Sequence, residues 1–300
     1  MSILVVGSLA FDDVVTAHRT VRNVLGGSAL YFSAAASHFV PVHMVGVVGD
    51  DFPLEELDFL RSRGVDTTGV QVMKGGKTFR WTGEYERDMN KRKTTLLELN
   101  VFRDFNPVLT DSCRRAPYVF LGNIQPDLQL KVREQVEDPE FVAADTIECY
   151  LENQPDEFRD VLKNIDLLFI NDSEALLFTG EHSIIAAARS LLECGPEYVI
   201  IKKGEHGSFL VSGDSFFTVP AYPVEKLADP TGAGDSYAGA VMGYLAKTGS
   251  HDWETMKTAV VYGGVVASFL VEGFSLETLK TLSGDALEER MRRFRSMTSF

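Results

Sequence analysis

Short runs of β-branched and other apolar residues alternate along this chain with longer segments of helical periodicity. The first run, Ile3 to Val6, ends at Gly7, and the next strong run spans Val42 to Val48. Because strands that alternate with helices form βαβ units, this pattern predicts an α/β fold with a doubly wound, mostly parallel sheet flanked by helices. Ligands of such sheets bind beyond the carboxyl ends of the strands. The other predicted strands are 118–121, 141–145, 167–170 and 198–202, and the predicted helices are 29–39, 53–63, 126–136, 155–164, 173–178, 183–194 and 236–247.

One long region departs from this alternation. Between residues 69 and 105 polar and apolar residues alternate without a helical period, and the charged run 87–93 is typical of a turn. Residues 12–24 are also extended and are predicted to pair with this region. We therefore expect a small β-sheet lid, formed by about 12–24 and 69–105, inserted in a single domain that spans 1–300. A surface hairpin without a function is the alternative interpretation.

The charge balance and the cysteine count exclude several classes of protein. The 300 residues include 29 Lys and Arg against 43 Asp and Glu, for a net charge of −14. An acidic surface repels a polyphosphate backbone, which argues against a nucleic-acid partner. Three scattered cysteines do not form a disulfide framework, no signal-peptide pattern is present, and the longest late uncharged stretch is too short for a membrane span. We expect a cytoplasmic protein without a membrane partner.

The heptapeptide Asp229 to Asp235 carries the strongest chemical signal. Its small residues lead directly into an apolar helix, so that successive backbone N–H groups are exposed where the helix dipole is positive. The amides of Gly232, Ala233 and Gly234 would thus form an anion hole for a phosphoryl group. Asp235 lies in the first turn of that helix, where its carboxylate can accept a proton from an attacking hydroxyl. A simple helix cap is the alternative interpretation.

This heptapeptide is similar to the C-terminal signature of the ribokinase-like (phosphofructokinase-B type) carbohydrate and nucleoside kinases. Five further segments resemble motifs of that family, and they occur in the family's order between residue 3 and about residue 274. They are the first strand with its acceptor-binding Asp (7–12), the Gly-Gly motif (26–29), the second strand and turn (45–51), and, in the second half, the Asn-x-x-Glu motif (171–174) followed by the nucleotide loop (202–207).

The resemblance implies an ATP-dependent kinase with the ribokinase-like fold, in which Asp235 is the catalytic base. Asp12, Gly26 and Gly27 would bind the acceptor, and Glu174 would order Mg²⁺, mostly through water. A monovalent cation near the nucleotide loop and a homodimer formed through the lid are also compatible with the resemblance. The remaining residues expected to bind the nucleotide are Asn171, Lys202, Gly204, Gly207, Asp229 and Thr231.

The acceptor is the least determined part of this interpretation. Many members of the family have an Asn shortly after the Gly-Gly pair, whereas this chain has Tyr31 and Phe32 there. With Phe79, Trp81 and Tyr85 in the lid, these aromatic residues are suited to a ring face, although they could equally form the core of the lid. We predict a sugar as acceptor, with Tyr31 among its contacts, and keep a nucleoside of the adenosine type as the alternative.

Two polar residues follow predicted strands at the ligand-bearing edge. Asn123 lies just after the strand 118–121, and Asp145 ends the strand 141–145. Asn123 is predicted to contact the acceptor, and for both residues a turn or helix-cap role is the alternative. A sensor that kept the fold and lost turnover is the rival function, but such a protein would not need both Asp235 and Glu174.

Overall fold

The computed structural model describes residues 1–86, 89 and 91–299. The described strands are β1 (Ile3–Val6), β2 (Ala10–Val15), β3 (Thr20–Gly26), β4 (Val42–Gly49), β5 (Val65–Met73), β6 (Phe79–Tyr85), β7 (Arg92–Glu98), β8 (Tyr118–Leu121), β9 (Phe141–Asp145), β10 (Leu167–Asn171), β11 (Tyr198–Lys202), β12 (Ser208–Ser212) and β13 (Ser215–Val219). The α-helices are α1 (Ser28–Ala36), α2 (Asp58–Arg61), α3 (Asp111–Arg114), α4 (Pro126–Gln135), α5 (Glu148–Asn153), α6 (Pro155–Leu162), α7 (Asp172–Thr179), α8 (Ile184–Leu192), α9 (Ala233–Thr248), α10 (Trp253–Leu270), α11 (Glu277–Thr281) and α12 (Gly284–Thr298).

Nine of the described strands form one sheet, in the order β13-β12-β11-β10-β9-β8-β1-β4-β5. Every neighbouring pair in this order from β11 to β5 is parallel. Among the described strands of this sheet, only β12 and β13 are antiparallel additions, at one edge. The predicted doubly wound, mostly parallel α/β sheet is confirmed. The strand order reverses between β1 and β8, and the crevice at such a reversal is where ligands of open α/β sheets bind.

Each central strand buries side chains on both faces, as a fully covered parallel strand requires. In β1, Ile3 and Val5 belong to the core beneath α1, α9, α10 and α12, while Leu4 and Val6 belong to the core beneath α4, α6 and α8. Helices α1 and α9 approach closely, because a Cβ at Gly239 would come against the carbonyl of Phe32. This contact holds the N-terminus of α9 above the reversal point.

A second, four-stranded sheet has the order β3-β2-β6-β7. Strands β2 and β6 are parallel, and the outer pairs are antiparallel. The predicted pairing of residues 12–24 with the later region is confirmed, so the small sheet of the lid is present. The predicted bounds are wrong at both ends of 69–105, because residues 69–73 belong to β5 in the main sheet and residues 100–104 form a 3₁₀ helix. An edge strand that buries only one face, such as β5, alternates polar and apolar residues just as a lid strand does, so the sequence pattern does not distinguish the two.

Two local predictions also need correction. The predicted helix 53–63 is a 3₁₀ turn, Leu54–Leu57, followed by the single turn of α2. Its fully buried side chains are Leu57 and Leu60, three residues apart, which is the spacing that a 3₁₀ turn places on one side. Of the predicted turn 87–93, positions 87, 88 and 90 lie outside the described residues, while residues 92 and 93 already belong to β7.

Across the described ranges, no helix combines the length and the hydropathy that crossing a bilayer would require.

Candidate active site

The loop before α9 has the conformation that its glycines permit. Gly232 is left-handed, with φ of 76°, and a Cβ there would enter the ring of Tyr31. The N–H of Ala233 donates to the carbonyl of Pro230 at 3.1 Å, so this predicted donor is used within the turn. In the described chain the N–H groups of Gly232 and Gly234 have no protein partner, and they remain the donors for an anion at this positive helix end.

Asp235 lies in the first turn of α9, where its position is fixed by the loop. Its Oδ1 accepts a hydrogen bond of 3.4 Å from Nδ2 of Asn123, which follows β8. Burial and the charge of Asp145 raise the pKa of Asp235 to about 7, against the opposing charge of Lys202. A carboxylate whose pKa is near the working pH is more basic than an exposed one and is better suited to general-base catalysis.

Lys202, at the end of β11, is the buried cation of the site. Its Nζ is 2.5 Å from Oδ2 of Asp145, which is itself 1% exposed. The ammonium lies beneath the loop before α9 (residues 229–234, called the anion loop below), 3.3 Å from where a Cβ of Gly234 would be. Burial opposes the charge of Lys202, but Asp145 and Glu174 outweigh it and raise the pKa of the ammonium. A permanently charged lysine therefore stands behind the free amides.

Asn171 and Glu174 form a capping box at the start of α7. Oδ1 of Asn171 accepts from the N–H of Glu174 at 2.8 Å, and Oε2 of Glu174 accepts from the N–H of Asn171 at 2.9 Å. The two side chains therefore stabilise the start of α7, whatever else they bind. Burial raises the pKa of Glu174 to about 7, which leaves a carboxyl group that a divalent cation would readily ionise.

The acceptor side is built from β2 and the turn into α1. Asp12 is 4% exposed, and its carboxylate lies where a Cβ of Gly26 would be, so only glycine fits at that position. Gly27, with φ of 103°, allows the chain to turn into α1 against the backbone of Ser8. Burial, together with the charges of Asp229 and Asp235, raises the pKa of Asp12 well above its ordinary value. The structure therefore brings Asp12 into the same electrostatic site as Asp235.

The aromatic residues divide between core and site. Phe32 stacks on Phe120 inside the main core, and Phe79 stacks on Phe102 at the base of the lid. For these two aromatics the core interpretation is the one observed. Tyr31 is 1% exposed with its ring under Gly232, so it supports the anion loop; its hydroxyl has no partner among the described residues.

The lid reaches the anion loop through Tyr85. The hydroxyl of Tyr85 is 2.9 Å from Oγ1 of Thr231. Thr231 is held in turn by Asp229, whose Oδ1 accepts from its N–H at 2.8 Å. Trp81 and Tyr85 pack on a small apolar cluster with Val14. The lid is therefore joined to the loop before α9 by one hydrogen bond and a small core.

The predicted nucleotide loop is a tight turn after β11. Gly204 and Gly207 are left-handed, with φ of 53° and 84°, and a Cβ at Gly207 would enter the backbone of Val219 and Pro220. Val219 and Pro220 also line a cavity of about 510 Å³. Its walls from α10 and α12 combine apolar residues, among them Val261 and Phe294, with the charged Glu254, Lys257 and Arg295.

Two site residues were not identified by sequence reasoning. Arg92 of β7 lies opposite Tyr85, with its guanidinium 5.1 Å from the ring centre of Trp81, and its charge lowers the pKa of Asp235. Gln129 of α4 binds strand ends beneath the site. Neither residue belongs to a motif. Arg92 is a cation in the lid sequence, but several neighbouring residues are cations as well, so its charge does not single it out.

The family model described as "pfkB family carbohydrate kinase" matches residues 2–280. The chain is 30% identical over 253 residues to a cytidine kinase of Thermococcus kodakarensis, which covers 82% of this chain and 88% of that protein. It is 27% identical to a nucleoside kinase of Methanothermobacter thermautotrophicus, over 95% of this chain and 94% of the other.

Among solved structures, aminoimidazole riboside kinase from Salmonella enterica superposes with a TM-score of 0.77 at 16% identity, covering 97% of this chain and 100% of that one. At this identity the superposition confirms the fold alone. The extent of the family match and the relative matched at 30% identity confirm the membership that the motifs predict. This chain belongs to the pfkB family of carbohydrate kinases.

Proposed function

We propose that this protein transfers the γ-phosphoryl group of ATP to a hydroxyl of a nucleoside. The observation that carries the transfer is the partly buried carboxylate of Asp235 at the first turn of α9, beside the free N–H groups of Gly232 and Gly234. A base and an anion hole on one turn can serve both partners of an in-line displacement.

In the proposed reaction Asp235 accepts the proton of the acceptor hydroxyl as its oxygen attacks phosphorus. The carboxylate is too weak to form an alkoxide beforehand, so proton transfer accompanies a loose transition state. The amides of Gly232 and Gly234 and the ammonium of Lys202 stabilise the negative charge on the migrating group. Asn123, whose Oδ1 is buried without a partner, holds the acceptor by accepting from a second hydroxyl.

The donor set fits Mg²⁺ bound mainly through phosphate and water. Among the described residues no cluster of three or more His, Cys, Asp or Glu side chains could hold a metal ion. The pKa of Glu174 is raised to about 7, and Asp145 is engaged by Lys202. Mg²⁺ commonly retains several waters and uses one or two carboxylates in addition to substrate phosphates. Bound there, it would neutralise phosphate charge, with Glu174 holding a coordinated water.

The adenine of ATP would occupy the cavity that Val219 and Pro220 line. Gly207 of the predicted nucleotide loop lies against the backbone of Val219 and Pro220, and these two residues also line the cavity, so the cavity adjoins that loop. The walls include Val261 and Phe294, and such apolar surfaces suit a planar base.

Two observations support a nucleoside rather than a free sugar as acceptor. The relatives matched over four fifths of the chain or more are a cytidine kinase and a nucleoside kinase. Trp81 is the direct neighbour of Asp12 in the parallel pair of β2 and β6, which places both side chains on the same face of the lid sheet. Stacking on an aromatic ring contributes about 1–3 kcal/mol per base. The free sugar predicted from the sequence is the alternative.

A monovalent cation would fit beside Asp229. This residue is 2% exposed, and its Oδ2 has no partner among the described residues. The N–H groups of Ala228 and Asp229 both donate to the carbonyl of Val271, which brings a second chain segment to the same place. A cation there would satisfy the buried oxygen and stiffen the loop that leads to Gly232.

The lid also offers a surface for a second copy of the chain. In the described lid sheet β7 is the outer strand, and all of its residues are exposed. Leu96 and Leu97 are exposed by 44% and 56%. An open edge with apolar side chains favours pairing with an identical edge, which would produce the homodimer expected from the sequence.

The acceptor is tested by measuring ADP release with ribose, fructose, 2-keto-3-deoxygluconate, adenosine, inosine and cytidine. We expect at least one nucleoside to exceed every free sugar by about tenfold in kcat/KM, the effect of about 1.4 kcal/mol. A sugar with the highest value would restore the first prediction from the sequence. No turnover with any acceptor would contradict the kinase assignment for this chain.

Replacing the base tests the proposed mechanism. Asp235→Asn is expected to lower kcat by roughly 10²–10⁴ while ATP binding changes little, because a general base is worth about that much. ATP affinity, measured by calorimetry on the same preparations, is the control for folding. A variant that keeps half of the wild-type rate would remove Asp235 from this role.

The substitution Glu174→Gln removes the charge of this residue and retains its helix-capping hydrogen bonds. Gln at the third helical position retains the reciprocal hydrogen bonds of a capping box. The variant is therefore expected to remain folded, to need more Mg²⁺ for half-maximal activity and to turn over more slowly, because the cation and its waters lose a charged partner. Equal, small losses at limiting and saturating Mg²⁺ would leave Glu174 with the structural role alone.

The raised pKa of Asp235 predicts how stability changes with pH. The pKa of this carboxyl is about 7 in the folded chain and about 3.9 in the unfolded chain, so folding is most favoured while the group is protonated and loses stability as pH rises through 7. Asp235→Asn should gain on the order of 1–3 kcal/mol over wild type at pH 8 and almost nothing at pH 4. Urea unfolding at both values measures this gain, with the exposed Asp214→Asn as a matched control. An equal difference at both pH values would contradict the raised pKa.

A further inference from the structure

A buried glutamine joins the ends of two neighbouring strands beneath the site. Gln129 of α4 is 1% exposed. Its Nε2 donates to the carbonyls of Gly122 and Asp145, both at 2.9 Å, and more weakly to that of Leu121 at 3.3 Å. Carbonyl oxygens only accept hydrogen bonds, so the atom that they surround must be the amide nitrogen, and the orientation of the side chain is fixed.

The two strands need such a link because their pairing stops there. The ladder between β8 and β9 ends at Leu121 and Ala144. Beyond this pair the N–H of Gly122 donates to Val6 on β1, while Asp145 continues beside β10, so the two chains separate. One side-chain amide replaces the missing ladder bonds, and a buried carbonyl left without a partner costs about 1–3 kcal/mol.

Both strand ends carry groups of the proposed mechanism. Asn123, one residue after Gly122, donates to Asp235 at 3.4 Å. Asp145 forms the 2.5 Å ion pair with Lys202, which stands behind the anion loop. The amide of Gln129 thus lies between the group that holds the base and the group that holds the cation.

We propose that Gln129 is a positioning residue for phosphoryl transfer, setting the separation of Asn123 and Asp145. This inference rests on the proposed kinase function. Gln129 itself contacts neither substrate nor the reacting atoms. It acts by keeping Asp235 and Lys202 in register on either side of the transferred group, where small displacements of reacting partners have large kinetic effects.

The same helix provides a matched control. Gln135 is also a glutamine of α4, and its Nε2 donates to the carbonyls of Pro107 and Lys131, both at 3.0 Å. Neither carbonyl belongs to a strand end that carries a site residue. Gln135→Met therefore removes two comparable donated hydrogen bonds from the same helix, together with the one that its Oε1 accepts from the N–H of Leu109 at 3.0 Å, without affecting the strand ends at the site.

The experiment compares Gln129→Met with Gln135→Met in the full chain. We expect Gln129→Met to lower kcat by about tenfold or more, with the KM for ATP changed by less than about twofold. The acid limb of kcat/KM should also move to higher pH, because a weakened donation from Asn123 disfavours the ionised form of Asp235. Gln135→Met should lose similar thermal stability and keep wild-type kcat and pH profile.

A second variant, Gln129→Glu, tests the proposal in the event that Gln129→Met does not fold. Gln129→Glu keeps the shape of the side chain, but its carboxyl donates at most one hydrogen bond and cannot join two carbonyls. The same loss of kcat is expected. Wild-type kinetics in a folded Gln129 variant, or an equal loss in Gln135→Met, would overturn the proposal. Wild-type protein without acceptor-dependent turnover would instead overturn the proposed function, and this inference with it.

Discussion

The contact between Gly232 and the ring of Tyr31 determines where every other part of the site can lie. A left-handed glycine pressed on an aromatic ring fixes the loop before α9 at a single height above the sheet. The loop position in turn fixes the positions of the free N–H groups and of the Asp235 carboxylate, because these groups lie in the loop and in the first turn of α9. The ring in turn is held by α1, which packs tightly on α9. The main core therefore sets the geometry of the proposed anion hole.

The site concentrates more negative than positive charge before any ligand is bound. Asp12, Asp145, Glu174, Asp229 and Asp235 are all buried or nearly so. The nearby cations are Lys202, which is shared with Asp145, and Arg92 of the lid. Burial and mutual repulsion hold several of these carboxyl groups partly protonated near neutral pH, because the ionised forms are expensive in a region of low dielectric. A ligand that brings positive charge relieves this cost.

Motifs and periodicity were sufficient to predict the alternating core, the small second sheet and the location of most site residues. The heptapeptide before α9 placed Asp235 correctly because its chemistry is local. Sequence reasoning failed where an answer depends on neighbours distant in the chain: β5 resembles a lid strand until β4 is seen beside it, and the ring of Tyr31 is suited to an acceptor until Gly232 is seen above it. Gln129 was missed for the same reason, since its three acceptors come from two other elements.

The pKa values of Asp235 and Glu174 are both raised, so the free protein holds protons on these carboxyl groups that ligand binding can release. With both pKa values raised to about 7, these carboxyl groups are partly protonated near neutral pH. Binding a cation beside either group favours the ionised form and expels the proton into solution. In the proposed reaction the binding of a metal-bound nucleotide would be coupled to proton release, so that a more alkaline medium would strengthen that binding and favour the ionised form of Asp235.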